Sequence, residues 1–255
     1  MAENEEPKEP SIEQMRAVTI SREYGSGGGE IGAQLARRLG WKLIDHEVVV
    51  QMANVLGISE VDAEAYDEHV DNAILRILTN LGENLAPVSV PTQTPVQRIG
   101  PQDYKEARRK VVEAAVASGH AIIIGRGAQV LLAGRRDVLH VRIIAPLEQR
   151  IAYVMRREGL DHTKAQERIQ SKDRDRARFL ATVHQRNPQD EHLYDVVVNT
   201  AVIELSDVVE LVVLALEKKA RKLNTPESEL GPGTGLRQYG STPGNFNLTG
   251  EPEKI

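Results

Sequence analysis

The chain contains no cysteine, which excludes a disulfide scaffold, a thiolate metal site and a cysteine nucleophile. Its seven histidines (His46, His69, His120, His140, His162, His184 and His192) never come closer than eight residues, so there is no HxxxH zinc pair. No apolar run approaches the ~18 residues of a membrane helix, and the opening MAENEEPKEP is acidic where a secretory signal would be basic and then apolar. An excess of positive charge is also missing. Of the formal net charge of -5, residues 1–15 hold -4 and residues 222–255 hold -1, which leaves 16–221 neutral. A neutral body argues against general nucleic-acid binding. These absences predict a cytoplasmic globular protein without membrane or nucleic-acid partners, in which any basic site is local.

What is present is enough apolar sequence for a core: 255 residues, 40% hydrophobic. Residues 1–15 lack apolar periodicity, and 222–255 are rich in Gly, Pro, Ser, Thr and Asn. Both are expected to be disordered. Between them, strand-like and helix-like segments alternate. Strands are expected at 16–21, 41–44, 120–124, 138–144 and 194–199, with helices over 30–39, 46–56 and 146–158. Pro146 is expected at the first helical position of the last of these, and Ser206 is expected to cap a closing helix. The pattern predicts an α/β fold with a five-stranded parallel sheet covered by helices on both faces, and ligands at the carboxyl ends of its strands. Residues 46–118 read as a mostly helical insertion containing a proline-rich loop over 86–101.

The most informative stretch is SREYGSGGGEIG (21–32), between strand 1 and helix 1. Gly25, Gly27, Gly28, Gly29 and Gly32 allow positive φ and let backbone N–H groups approach an anion, while the helix N-terminus adds partial positive charge. Phosphate binding is the natural inference, and two motifs compete to specify it. Gly27, Gly29 and Gly32 satisfy GxGxxG, with Asp45 at the end of strand 2 where a dinucleotide fold places its ribose-binding acid. The P-loop pattern GxxxxGK[ST] fails at its lysine, since Gly28 stands in that place and Glu30 stands near the hydroxyl position. Arginines follow later strands. Arg126, between Gly125 and Gly127, suits a phosphate clamp. In KDRDRAR (172–178), Arg174 and Arg178 share a helix face and Arg176 points away from it, as in a basic lid or an ordinary solvated charge run.

These segments, with the LID at 43–45, IIIGRG at 122–127, HVRIIAPLEQRI at 140–151 and YDVVVNT at 194–200, together resemble the cytidylate kinase-like family of P-loop nucleoside monophosphate kinases. The resemblance covers about Val18 to Val213. It implies a P-loop NTPase-type three-layer fold over 16–221, with a helical insertion and a lid-like segment at 172–190. It implies ATP and Mg2+ as cofactors, and CMP or dCMP as the acceptor. Gly25, Ser26, Gly27, Gly28, Gly29, Glu30 and Ile31 would cradle the donor phosphates. Asp45 and Arg126 would hold the acceptor, and Arg174 and Arg176 would belong to the lid. No metal ligand and no choice between monomer and homodimer follows. Three departures stand out: the loop lysine is absent, GRG replaces GRD after strand 3, and the insertion is proline-rich. Arg22, inside the loop, is the nearest cation to replace the lysine. Two other readings stay open, a nucleotide-binding module without catalysis and an NAD(P)-dependent oxidoreductase built on GxGxxG.

Overall fold

The computed structural model describes residues 11–45, 101–125 and 127–232, the side chains of 101–108 excepted. Expectations for the acidic head before residue 11, for 46–100, for the side chain of Arg126 and for 233–255 lie outside the described residues.

Five strands form one parallel sheet: β1 (Ala17–Arg22), β2 (Lys42–Ile44), β3 (Ala121–Ile124), β4 (Val138–Ile144) and β5 (Val196–Asn199), in the order β2-β3-β1-β4-β5. β1 lies at the centre, with Val18 opposite Ile122 on one side and Leu139 on the other. Its buried position explains its β-branched composition, since a strand covered on both faces has no polar side to offer. The AIII run of β3 is fully buried for the same reason.

α1 (Gly28–Leu39) and α6 (Leu205–Ala220) cover one face, where Ile31 and Leu35 meet Leu139, Val141, Ile143, Val209 and Leu216. α2 (Pro101–Ser118) and the single turn α3 (Ala128–Leu131) cover the other, through Val112, Val116, Ile123 and Leu132. α4 (Leu147–Glu158) and α5 (His162–His184) pack together on Ile151, Val154, Ala165 and Ile169. The result is the expected three-layer α/β sandwich. Two helix starts differ from expectation. Pro146 caps α4 from outside rather than opening it, with ψ 144. Ser206 lies inside α6, whose N-cap is Glu204. Both shifts are of one or two residues, the usual slack where end turns compete for the same carbonyls. The segment KDRDRAR belongs to the 23-residue α5.

Residues 224–255 form a second unit. Its described part holds one 3-10 turn, Glu227–Glu229.

Candidate functional site: the glycine loop and the helix that closes on it

β1 leads toward β2 on one side of the sheet, while the chain beyond β3 crosses to β4 on the other. The crevice at the carboxyl end of β1 is therefore the switch point where open α/β sheets bind ligands. Residues 23–27 occupy it. Gly25 and Gly27 sit at φ +82° and +81°, a region that other residues enter at a cost. There is also no room for side chains: a Cβ at Gly25 would lie 2.9 Å from the Arg150 carbonyl oxygen, and one at Gly27 would lie 2.7 Å from Leu205. The tight turn leaves the N–H groups of Gly28, Gly29 and Glu30 at the start of α1 with no helical carbonyl behind them. Ile31 is the first to be paired, donating to the Gly27 carbonyl at 3.0 Å. Nothing lies within 4 Å of a Cβ built at Gly29, so the cradle is open there. N–H groups left without a helical carbonyl at a helix N-terminus are suited to bind phosphate; Gly29 is exposed, while Gly28 is buried under the Arg22 stem.

The position of the absent lysine is explained by its neighbour. A Cβ at Gly28 would fall 2.7 Å from the Cβ of Arg22 and 3.0 Å from its Cγ. The Arg22 stem thus occupies the space over Gly28, and its guanidinium ends against Gly125, at the mouth of β3, where an added Cβ would collide with Nη1. Gly125, at φ +76°, and Gly127, at φ +66°, take left-handed backbone just past β3. A cation from inside the loop therefore reaches across the crevice from the donor cradle to the β3 turn.

α5 closes the site from above. Asp173 accepts from the backbone N–H of Tyr24 at 2.8 Å and from Arg150 Nη1 at 2.6 Å. Arg150 also donates to the Tyr24 carbonyl at 3.2 Å and lies 3.6 Å from the Glu23 carboxylate. Glu23 in turn accepts from the Ala145 N–H at the end of β4. Arg176 donates to the Arg22 carbonyl at 3.3 Å and lies over the Tyr24 ring at 5.3 Å. Burial lowers the pKa of Arg176, opposed by Asp173. Burial also holds Lys172 below its ordinary value, and the nearby Arg176 charge adds to the effect. Lys172 and Arg176 thus lie close enough on one helix face for each charge to act on the other. Tyr24 donates its hydroxyl to Glu158 at 2.6 Å, and burial first, then that carboxylate, raises its pKa.

The structure brings Arg22, Gly25, Gly27, Gly28, Gly29 and Arg176 together. Others fall elsewhere. Arg174 is exposed, because the inner face of α5 runs through Ala165, Ile169, Lys172, Arg176 and Leu180, two positions out of phase with it. Ile31 is sealed in the core and its N–H is taken, so it has no group to offer a phosphate. The Ser26 hydroxyl is turned inward, donating to the Glu23 carbonyl at 2.9 Å, and is a strut of the loop. The Glu30 carboxylate is paired with Arg157. Asp45 directly follows β2, which is separated from β1 by β3. A dinucleotide fold has strand 2 beside strand 1, so here Asp45 stands one strand, about 5 Å, too far from the glycines for that role.

Tyr24, Arg150 and Asp173 were not singled out from sequence. Their one signal is that Arg150 precedes Ile151 and lies four residues before Val154, on the buried face of an amphipathic helix, where a charge needs partners.

A parallel sheet in this order, a glycine loop at its switch point and a basic helix over that loop define a P-loop kinase-type α/β protein. The chain belongs to the cytidylate kinase-like family, which it matches over residues 17–202. It is 34% identical over 104 residues to a cytidylate kinase of Methanopyrus kandleri, a match covering 38% of this chain and 53% of that protein. It is 32% identical over 118 residues to a uronate isomerase of Corynebacterium glutamicum, covering 46% of this chain and 22% of that protein. The chain thus spans between a fifth and about half of the curated relatives it matches. In overall fold it is similar to the crystal structure of an uncharacterized protein from Eubacterium ventriosum, at TM-score 0.58 and 16% identity, covering 79% of this chain and 98% of that one. The family carries a kinase-like, nucleotide-handling role. Among the described residues no helix is long and apolar enough to cross a membrane.

Proposed function

We propose that the protein transfers a phosphoryl group from ATP to a nucleoside monophosphate, with CMP or dCMP as the acceptor. The observation that carries this reading is the Arg22 side chain, which lies over Gly28 and reaches Gly125, bridging the donor cradle and the acceptor turn. Bound ATP with magnesium supplies the phosphoryl group, and the metal neutralises charge on the phosphate oxygens. Magnesium binds through phosphate oxygens, water and at most one or two carboxylates, so it would come with the bound ATP.

The chain's own groups then position and stabilise. The N–H groups of Gly28 and Gly29 orient the donor phosphates, and Arg22 meets the charge that spreads over the transferring group. Arg176 and Lys172 exclude water and add positive charge from above. Arg126, between its two glycines, is assigned to the acceptor phosphate. An acceptor phosphate oxygen forms the new bond to phosphorus as the bond to the departing ADP breaks. No side chain needs to act as an acid or base, because the acceptor oxygen is already anionic.

The reading is tested by coupled ADP release with ATP, magnesium and each of CMP, dCMP, UMP, AMP and GMP. Release dependent on CMP or dCMP, reduced about 100- to 1,000-fold by Arg22→Ala, is the expected result. Tight ATP binding without release for any acceptor would favour a nucleotide-binding module, the reading for which the glycine at position 28 speaks. Unchanged turnover in Arg22→Ala would remove that residue from the mechanism.

A further inference from the structure

β1 and β4 run in register with Ser21 opposite Arg142. Strand alternation turns Leu139, Val141 and Ile143 toward α1 and α6, so His140 and Arg142 face the other side of the sheet, toward its carboxyl edge. Arg142 is 8% exposed. Its Nη1 donates to Ser21 Oγ and to the Tyr194 hydroxyl, both at 3.3 Å, and the guanidinium lies 5.5 Å from the Tyr194 ring centre. The one hydroxyl hydrogen of Tyr194 goes to the Pro188 carbonyl at 2.9 Å, so the Ser21 hydroxyl donates to Tyr194 across 3.2 Å. Every acceptor in this chain is neutral.

That is unusual for a buried guanidinium. Arg150, whose side chain is 11% exposed, stands between two carboxylates, Asp173 and Glu23. Among the described residues Arg142 has no carboxylate at all, yet a buried charge is ordinarily paired. Its Nε and Nη2 have no hydrogen-bond partner there, and neither is among the polar atoms sealed from solvent without a hydrogen bond. Both therefore open onto accessible space. The group is a planar fork of donors, anchored on one nitrogen and open on two, one residue from Arg22 along β1's edge.

We infer that Arg142, held by Ser21 and Tyr194, is an oxyanion-binding floor for the acceptor, taking a phosphate or carboxylate oxygen pair on Nε and Nη2. The inference rests on the proposed phosphotransfer to an anionic acceptor and adds the residue that selects for that anion. A guanidinium fork matches two oxygens of one oxyanion and has no comparable fit to an uncharged sugar. The aromatic face of Tyr194 keeps the fork from rotating.

The test is calorimetric titration of the full chain with CMP and, separately, with cytidine, for the native protein, Arg142→Met and Arg142→Lys. The expected result is a 10- to 100-fold loss of CMP affinity in Arg142→Met, a smaller loss in Arg142→Lys, and unchanged cytidine binding in both. Equal losses for CMP and cytidine, or no loss for either, overturn the inference. If Arg142→Met fails to fold, Arg142→Lys decides by the same comparison. If the native protein binds no CMP, the cytidylate reading fails by itself. Titration with inorganic phosphate and with acetate then judges the floor: weaker binding of either in Arg142→Met sustains it and names the oxyanion, and superimposable curves for both overturn it.

Discussion

Replacing Gly28 with alanine adds one methyl group at the point where the loop, the helix and the Arg22 stem meet. The new Cβ would stand 2.7 Å from Arg22 Cβ and 3.0 Å from Cγ, about 1 Å inside a comfortable carbon–carbon separation of about 3.5–4.0 Å. The obstructing atoms are the root of a side chain on a central strand, so they cannot swing aside as a chain end would. Either α1 withdraws from the loop or Arg22 rotates away from Gly125. Overpacking of this kind costs about 1–3 kcal/mol, partly offset by the helix preference of alanine, worth up to about 1 kcal/mol. The effect on turnover is larger, because displacing a cation aimed at developing charge costs about 100- to 1,000-fold. Gly29→Ala is the control for stability: its Cβ enters open space, and its folded state is expected to be as stable as the parent or slightly more so. Urea melts and ADP release from both variants make the comparison. A Gly28→Ala protein with parental stability and turnover would refute the placement of Arg22 over the glycine and, with it, the bridging role.

Three further outcomes follow from the packing. Asp173→Asn removes the charge that holds Arg150 at 2.6 Å and Tyr24 N–H at 2.8 Å; with the pair partly buried, a loss of about 2 kcal/mol is expected in a urea melt. Arg38→Ala, which breaks an exposed pair with Glu210 at 3.0 Å, should change stability by less than about 1 kcal/mol. His140 is buried against Thr19 Oγ1 at 2.8 Å; burial lowers its pKa, opposed by Asp195 and aided by Lys219. Its stability contribution is therefore complete above the unfolded value of about 6.5 and is lost as pH falls through the folded value. His140→Gln should flatten the decline in stability below that pH, by at most about 1.4 kcal/mol per pH unit, and an unaltered pH profile would show that the ring does not titrate on folding.

Several parts of this molecule were legible from the residue string because they depend on local chemistry. β4 falls on 138–144 as its apolar run indicated, β3 on the AIII segment, and α1 on the Ile31 and Leu35 spacing. The five-glycine stretch indicated a tight turn into α1, and Gly25 and Gly27 do take positive φ there, since backbone freedom is a property of the residues themselves. The spacing within KDRDRAR correctly separated Arg176 from Arg174. A helical period relates residues on one element to each other but holds no information about which face looks inward. The tertiary packing of Ala165, Ile169 and Leu180 decided that, and it turned Arg176 in and Arg174 out.

The alternatives left open by the glycines were separated by strand order, which is a property of long-range pairing. GxGxxG with a later aspartate suits a dinucleotide fold only if strand 2 lies beside strand 1, and β3 lies there instead. Likewise, the sequence alone determined that the loop has no lysine and that Arg22 is the nearest cation. Only the folded chain could show that Gly28 is the clearance for that arginine, and that Gly125, some hundred residues later, is where its charge arrives. Turns and periods are written in neighbouring residues because their energies act over a few bonds. The fit of one side chain into the space left by two distant glycines exists only once the sheet has brought their strands together.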